Sequence, residues 1–196
     1  MPVRGVIPES MLADWRTRAY ASSNNWHYRQ ALKCYEMGHY FTFTGRGIAD
    51  LYMIRFWLDL PTMGDDLEYR FANSMCLHHI VRPDNDGALH DHPCRFKSVI
   101  LEGGYEEALP PRGWTGPLGP DPSAVKVIHM ATDVIVHQAA DLHAITNLIG
   151  PRVWTMVQTG PAERKWGFHP QGRPWMPYRD YLDECKQRTA TTGASA

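Results

Sequence analysis

The stretch His90-Asp91-His92-Pro93, followed by the apolar run from Phe96 to Tyr105, constrains this chain more than any other part of it. Alternate side chains of an extended segment point the same way, so both imidazoles can face one interior. Two neutral imidazoles on one face suit a divalent transition metal. Pro93, with its fixed φ and missing N–H, predicts a sharp bend that sets the pair in place. Phe96 to Tyr105 is the most strand-like run in the chain, and it ends at Gly103-Gly104, where the backbone must turn tightly or approach another strand closely. A third nitrogen has to come from elsewhere. The best candidate is His143, in the strand-like run Ala140 to Asn147 about fifty residues on, which makes a three-histidine site.

These two segments resemble the paired motifs of the cupin superfamily. The first cupin motif reads His-x-His, three or four residues, a Glu, six more residues and a Gly, and here His90 and His92 are followed by Gly103 and Gly104 at the two permitted distances. The second ends in His-x-x-x-Asn, filled by His143 and Asn147. The slot of the motif's Glu falls on Phe96 or Lys97, neither of which is a carboxylate, and Asp84 stands where the motif opens with Gly, with Gly87 nearer the histidines. The resemblance covers roughly residues 70 to 160. It implies a mainly β fold, a single cupin-type double-stranded β-helix (jelly-roll) barrel. The ligand set left, three histidines, is that of the thiol dioxygenase branch, similar to cysteine dioxygenase. This implies a non-haem iron(II) dioxygenase acting with O2 on a small carboxylate- or thiol-containing substrate. Some thiol dioxygenases carry a cysteine crosslinked to a tyrosine beside the iron, but Cys94, two residues past His92, does not inherit that role and reads as a buried or half-exposed thiol.

Two other readings stay open. A 2-oxoglutarate-dependent iron oxygenase has His-x-Asp/Glu, a distal His and a basic co-substrate residue about ten positions later; Arg152 comes nine after His143, and Asp91 lies between the paired histidines. A cupin that only binds a metal or small ligand is the third. Iron(II) is the expected metal, although imidazole also accepts Mn, Ni, Co, Cu and Zn.

Residues 1–40 read as an N-terminal helical extension packed on the barrel, 41–170 as the barrel, and 171–196 as a C-terminal segment with a short helix and a disordered tail. Glu9-Ser10 is placed to cap a first helix through Met11, Leu12, Trp15 and Ala19, and a second pattern runs from Trp26 to a stop at Gly38. Gly45-Arg46-Gly47 is a turn. It lacks the lysine and hydroxyl residue of a phosphate loop. Val125 to Met130 and Thr132 to His137 predict two strands around a turn, and Leu148 to Pro151 a turn into a hairpin partner, Arg152 to Thr159. Tyr178 to Lys186 predicts an amphipathic helix, with TATTGASA disordered beyond it.

A substrate carboxylate needs a cation, for which Arg55, Arg70, Arg82 and Arg152 are candidates. The other reading of Arg55 lays its stem on the barrel surface with its head in water. Tyr105 and His169 are candidates for the acid that manages oxygen. Leu109 to Ser123 is a Pro- and Gly-rich loop long enough to act as a lid, from which Trp114 can cover a substrate or pin the loop to the surface. His78 and His79 are adjacent, so at most one faces inward; His129 and His137 read as strand residues outside the ligand set. His27 and His39 go with the helices.

Ten histidines make a metal reading attractive, but the motif context of the resemblance raises only three of them. Net charge is −1, which argues against nucleic acid or a membrane surface recognised by bulk charge. Four scattered cysteines, without a C-x-x-C pair, read as reduced thiols. With no apolar leader and no span-length run, the expectation is a cytoplasmic protein, and edge pairing makes a homodimer the simplest closed assembly.

Overall fold

The computed structural model describes residues 5–44, 51–59, 72–84, 88–112, 124–170 and 172–193. The predicted Gly45-Arg46-Gly47 turn, Arg70, Gly87, Trp114 and most of the predicted lid lie outside the described residues.

Helices α1 (Glu9–Ala19) and α2 (Trp26–Glu36) fall where the periodicity predicts, and Gly38 takes the left-handed φ of +70° that ends α2. The start of α1 differs from the expectation. Its N-cap is Pro8, without a side-chain cap; the Pro8 carbonyl accepts the Met11 and Leu12 N–H groups at 3.0 and 3.2 Å. Leu12, Trp15, Ala19, Tyr28, Ala31 and Cys34 are the buried faces of the two helices.

The strands are β1 (Tyr40–Thr44), β2 (Leu51–Trp57), β3 (Met75–Ile80), β4 (Leu89–His90), β5 (Phe96–Leu109), β6 (Val125–Met130), β7 (Val134–His137), β8 (Ala144–Thr159), β9 (Gly167–His169) and β10 (Met176–Pro177), followed by helix α3 (Tyr178–Gly193). All pairings among the described residues are antiparallel, so the mainly β class expected of a cupin-type jelly roll is found, with helices before and after it. A large sheet runs β1-β2-β3-β8-β5-β6 with β7 also on β5, and a small one runs β10-β9-β4. Among the described residues the ladder is open. The sheets are joined by one bridge, in which His90 and His143 each donate a backbone N–H to the other's carbonyl, at 2.9 and 3.0 Å. Helix α3 continues past Lys186, where the sequence pattern ends, through Gly193.

Strand alternation sorts the large sheet into two faces. Ile54, Phe56, Leu77 and Trp154 pack under α1 and α2 with Trp15 and Tyr28. His79 joins them, its ring stacked on Trp154 at 4.5 Å. Each apolar side chain of this set, such as Ile54, Phe56 or Leu77, contributes roughly 1.5–3 kcal/mol when taken out of water. Arg152, on the same side, is held by Asp14 of α1 through two hydrogen bonds of 2.9 and 3.1 Å. The opposite face carries Met53, Ile80, Ile100, Tyr105, Ile135, Ile145 and Val153.

The predicted turn at Leu148 to Pro151 does not break the strand: β8 runs through it as one strand and pairs with β5 on either side of residues 150–153. The glycines make this possible. Gly103 and Gly150 have φ of +71° and +97° and lie together, and a Cβ on Gly103 would stand 2.0 Å from the Arg152 carbonyl oxygen. Both strands bend at these glycines, where the β5–β8 register shifts on either side of Glu102. The close approach expected at Gly103-Gly104 is therefore present. The shift has a second effect. Ile100 faces the interior before the bulge and Tyr105 after it, so the inward positions change from even to odd numbers.

Candidate metal centre

His90 ends β4, His92 follows it, and His143 enters β8. The paired N–H···O bonds between His90 and His143 put their side chains on one face, while His92 N–H donates to the Ala139 carbonyl at 3.1 Å. Asp84 secures the start of β8, accepting the Ile145 N–H on Oδ2 at 2.8 Å and donating its own N–H to the Ile145 carbonyl at 2.8 Å. The three rings form a triangle with centroids 5.1, 4.8 and 4.9 Å apart. One donor atom from each lies within 4.8 Å of the others, so the three could hold a metal ion.

The nitrogens support that reading. His92 Nε2 lies 2.7 Å from His143 Nε2. Nitrogens bound at right angles to one metal at 2.0–2.1 Å stand about 3 Å apart, so the two lone pairs are close to a shared ligand geometry. His90 Nδ1 is buried with no hydrogen-bond partner among the described residues. Burial first, then the neighbouring His143, pushes His90 down to about 4; His92 is lowered well below its ordinary value by burial and then by His143 and His90. Both are neutral near pH 7, as ligands must be.

Behind His143 stands Glu107, 1% exposed and not singled out by the sequence reading. Its Oε1 makes a very short contact with His143 Nδ1 and lies 3.0 Å from His137 Nε2, while Oε2 is 2.9 Å from His129 Nε2. Burial pushes this carboxyl up, but His137 and His143 outweigh it and hold Glu107 well below the usual carboxylate range. An ionised Glu107 accepts a hydrogen bond from His143 Nδ1–H and so leaves the lone pair on Nε2, facing His92; this arrangement orients a metal-binding histidine. Glu107, His137 and His143 are also close enough to hold an ion as a group. His129 and His137 lie on β6 and β7 as predicted, and both meet Glu107. The signal that could have found Glu107 is the double glycine, whose bulge turns odd positions of β5 inward.

The other candidates divide. Arg55 faces the interior, between Phe43 and Trp57 at 4.9 and 5.5 Å, and its Nε donates to His78 Nε2 at 2.9 Å. Its charge is among those depressing His92. Of the expected adjacent pair, His78 faces this interior beside Cys76, 3.3 Å away, and His79 faces the helices. Tyr105 lies in the interior apolar cluster with its ring 5.5 Å from His129, and burial, then Glu107, raises its phenol far above the ordinary value. Arg82 lies over the Tyr52 ring at 5.5 Å and donates to the Pro83 carbonyl at 3.1 Å. Arg152 is engaged by Asp14 on the helical side of the sheet, the side of His79 and not that of His90, His92 and His143. His169 pairs with Leu89; its neighbour Phe168 packs on His90 at 5.6 Å, so alternation turns His169 to the other face of β9. Cys94 is buried, and burial pushes its thiol up to about 11. Asn147 is exposed.

No family model and no curated protein sequence matches the chain. Among solved structures it is similar to the Fe(II) form of HppE, at 12% identity and a TM-score of 0.40 over 60% of this chain and 54% of that one. It is also similar to hydroxypropylphosphonic acid epoxidase from S. wedmorenis in complex with fosfomycin, at 11% identity and a TM-score of 0.37 over 55% of this chain and 51% of that one. Recombinant oxalate oxidase in complex with glycolate gives 14% and 0.35 over 48% and 45%. The chain thus spans about half the length of these structures. The chemistry rests on the chain's own residues. No helix among those described is long and apolar enough to cross a membrane.

Proposed function

We propose that this chain is a metal-dependent cupin, a non-haem iron(II) dioxygenase acting with O2 on a small carboxylate- or thiol-containing substrate. The observation that carries it is the convergence of His90, His92 and His143, with Nε2 of His92 and His143 2.7 Å apart and Nδ1 of His90 buried without a partner among the described residues. Three imidazoles turned on one another, His143 buried and His90 and His92 half-buried, are costly unless a cation or other partners satisfy their nitrogens. When bound, iron(II) supplies open coordination positions for substrate and dioxygen. The chain's own residues supply the rest. Glu107 keeps His143 in the tautomer with Nε2 free. Arg55 provides the inward-facing cation for a substrate anion, ahead of Arg82. Phe96, 4.6 Å from His92, and Phe168 against His90 exclude water. Tyr105 stays a neutral phenol, a hydrogen-bond donor that does not ionise.

One observation favours a second reading. Glu107, His137 and His143 are two imidazoles and a carboxylate, the donor set of many iron(II) oxygenases, among them those that consume 2-oxoglutarate. The deciding experiment is elemental analysis of the purified protein beside His143→Ala, followed by oxygen uptake with iron(II) restored. Near-stoichiometric metal that is lost in His143→Ala, with uptake dependent on a thiol or small carboxylate alone, is the expected result. Uptake coupled to succinate formation selects the 2-oxoglutarate reading. Metal retained without uptake leaves a binding cupin, and equally low metal in both proteins removes the site.

A further inference from the structure

Asp91 stands between two of the proposed ligands, yet its side chain points away from them and is 1% exposed. The three partners of its carboxylate all lie in the C-terminal part of the chain. Oδ1 accepts the Gly167 N–H at 2.6 Å, Oδ2 accepts the Trp175 indole N–H at 3.1 Å, and the Arg164 guanidinium lies 3.0 Å from Oδ2. The Asp91 N–H in turn donates to the Gly167 carbonyl at 3.1 Å. On the other side of the histidine pair, the Pro93 carbonyl accepts the N–H groups of Glu163 and Arg164 at 2.7 and 3.2 Å. The backbone of His90 to Pro93 is thus held from behind by one short stretch centred on β9.

That stretch is itself tied to α3. Trp166 stacks on Tyr178 at 4.5 Å and 5° between planes, and Phe168 stacks on Tyr181 at 4.4 Å. Arg173 binds Glu184 through two hydrogen bonds of 2.6 and 2.8 Å. A Cβ on Gly167 would stand 1.9 Å from the Met176 carbonyl oxygen, so β9 and β10 approach as closely as glycine allows. Phe168 completes the path by packing on the His90 ring.

We infer that Asp91 is a positioning residue that couples metal binding to the docking of β9, Trp175 and α3. The inference rests on the reading of His90, His92 and His143 as metal ligands. A buried carboxylate satisfied only when β9 is in place fixes the spacing of His90 and His92 from behind. A metal that fixes the same spacing from the front must, by reciprocity, tighten β9. The coupling needs no contact between Asp91 and the ion.

The test uses the full chain and cobalt(II), whose visible absorption reports both affinity and ligand geometry, together with hydrogen exchange over β9 and α3. In the wild-type protein, cobalt(II) should slow exchange there. Asp91→Asn keeps an acceptor for Gly167 and should weaken cobalt(II) binding about 10- to 100-fold, the usual effect of losing an orienting partner. The same substitution should shift the cobalt absorption and abolish the protection of α3. Trp175→Phe removes one donor to Asp91 and keeps an aromatic ring, so it stays folded even if Asp91→Asn does not; it should weaken binding several-fold. Wild-type cobalt affinity and spectrum in Trp175→Phe, or exchange in β9 and α3 that ignores cobalt, would overturn the coupling. No cobalt binding by the wild-type chain would instead sink the metal reading on which it rests.

Discussion

Glu107 gathers three imidazoles around one buried carboxylate, and its removal separates orientation from ligation. Glu107→Gln keeps an oxygen for His143 Nδ1–H but loses the charge that His129 and His137 also face. Metal affinity is expected to fall about tenfold in Glu107→Gln and nearer 100-fold in Glu107→Ala, read by competition with a chelator, with all three ligands still present. At this scale the sequence was legible where spacing is short. His90 and His92 share a face because alternation acts over two residues, and His143 follows from its motif. Glu107 was not legible, because counting alternately from Phe96 turns it outward; only the slip at Gly103 turns it in. Asp91 was visible as a residue between two histidines, but its partners lie more than seventy positions away.

Strands β5 and β8 bend together at Gly103 and Gly150, and the two glycines do not carry equal weight. Both have positive φ, which costs a residue with a side chain roughly 1–2 kcal/mol. At Gly150 a Cβ meets only the Gly103 Cα at 3.8 Å, so Gly150→Ala should lose about that backbone cost. At Gly103 the Cβ runs into the Arg152 carbonyl, so Gly103→Ala must also break the β5–β8 pairing and should lose several kcal/mol more, or fail to fold. Urea unfolding midpoints of the two variants check the order; equal losses would contradict the crowding at Gly103. The helices, β5, β6 and β7 could be read from periodicity because each is a local pattern. The continuity of β8 could not, because Gly150-Pro151 looks like a turn until a second glycine on a facing strand lets the chain bend there without leaving the sheet.

The whole molecule carries an unusual load of neutral imidazole, buried at His78 and His79 and half-buried at His90 and His92. Burial pushes His79 down to about 3 and His90 to about 4, and holds His78 and His92 well below 6.5. In the unfolded chain these groups titrate near 6.5, so below that value the unfolded state binds more protons and stability rises with pH. The metal-free protein should therefore be most stable above about pH 6.5 and lose on the order of several kcal/mol as pH falls toward 4. His79→Phe keeps a ring against Trp154 and removes one titrating group, so the slope of stability against pH should flatten between about 4 and 6.5. Urea midpoints across that range measure it; an unchanged slope would show that His79 is not held neutral.

The pairing of β5 with β8 also bears on how the chain reaches this fold. Its partners stand roughly 35 to 65 positions apart in sequence, and those of β3 with β8 farther still, so long loops must close before either ladder gains a bond. His143 meets His90 only at the margin of that assembly, and Glu107 turns inward only once the bulge has formed. The ligands are scattered while the chain is searching and gathered only when the search is over. A bound ion would then slow unfolding while leaving the speed of folding nearly untouched.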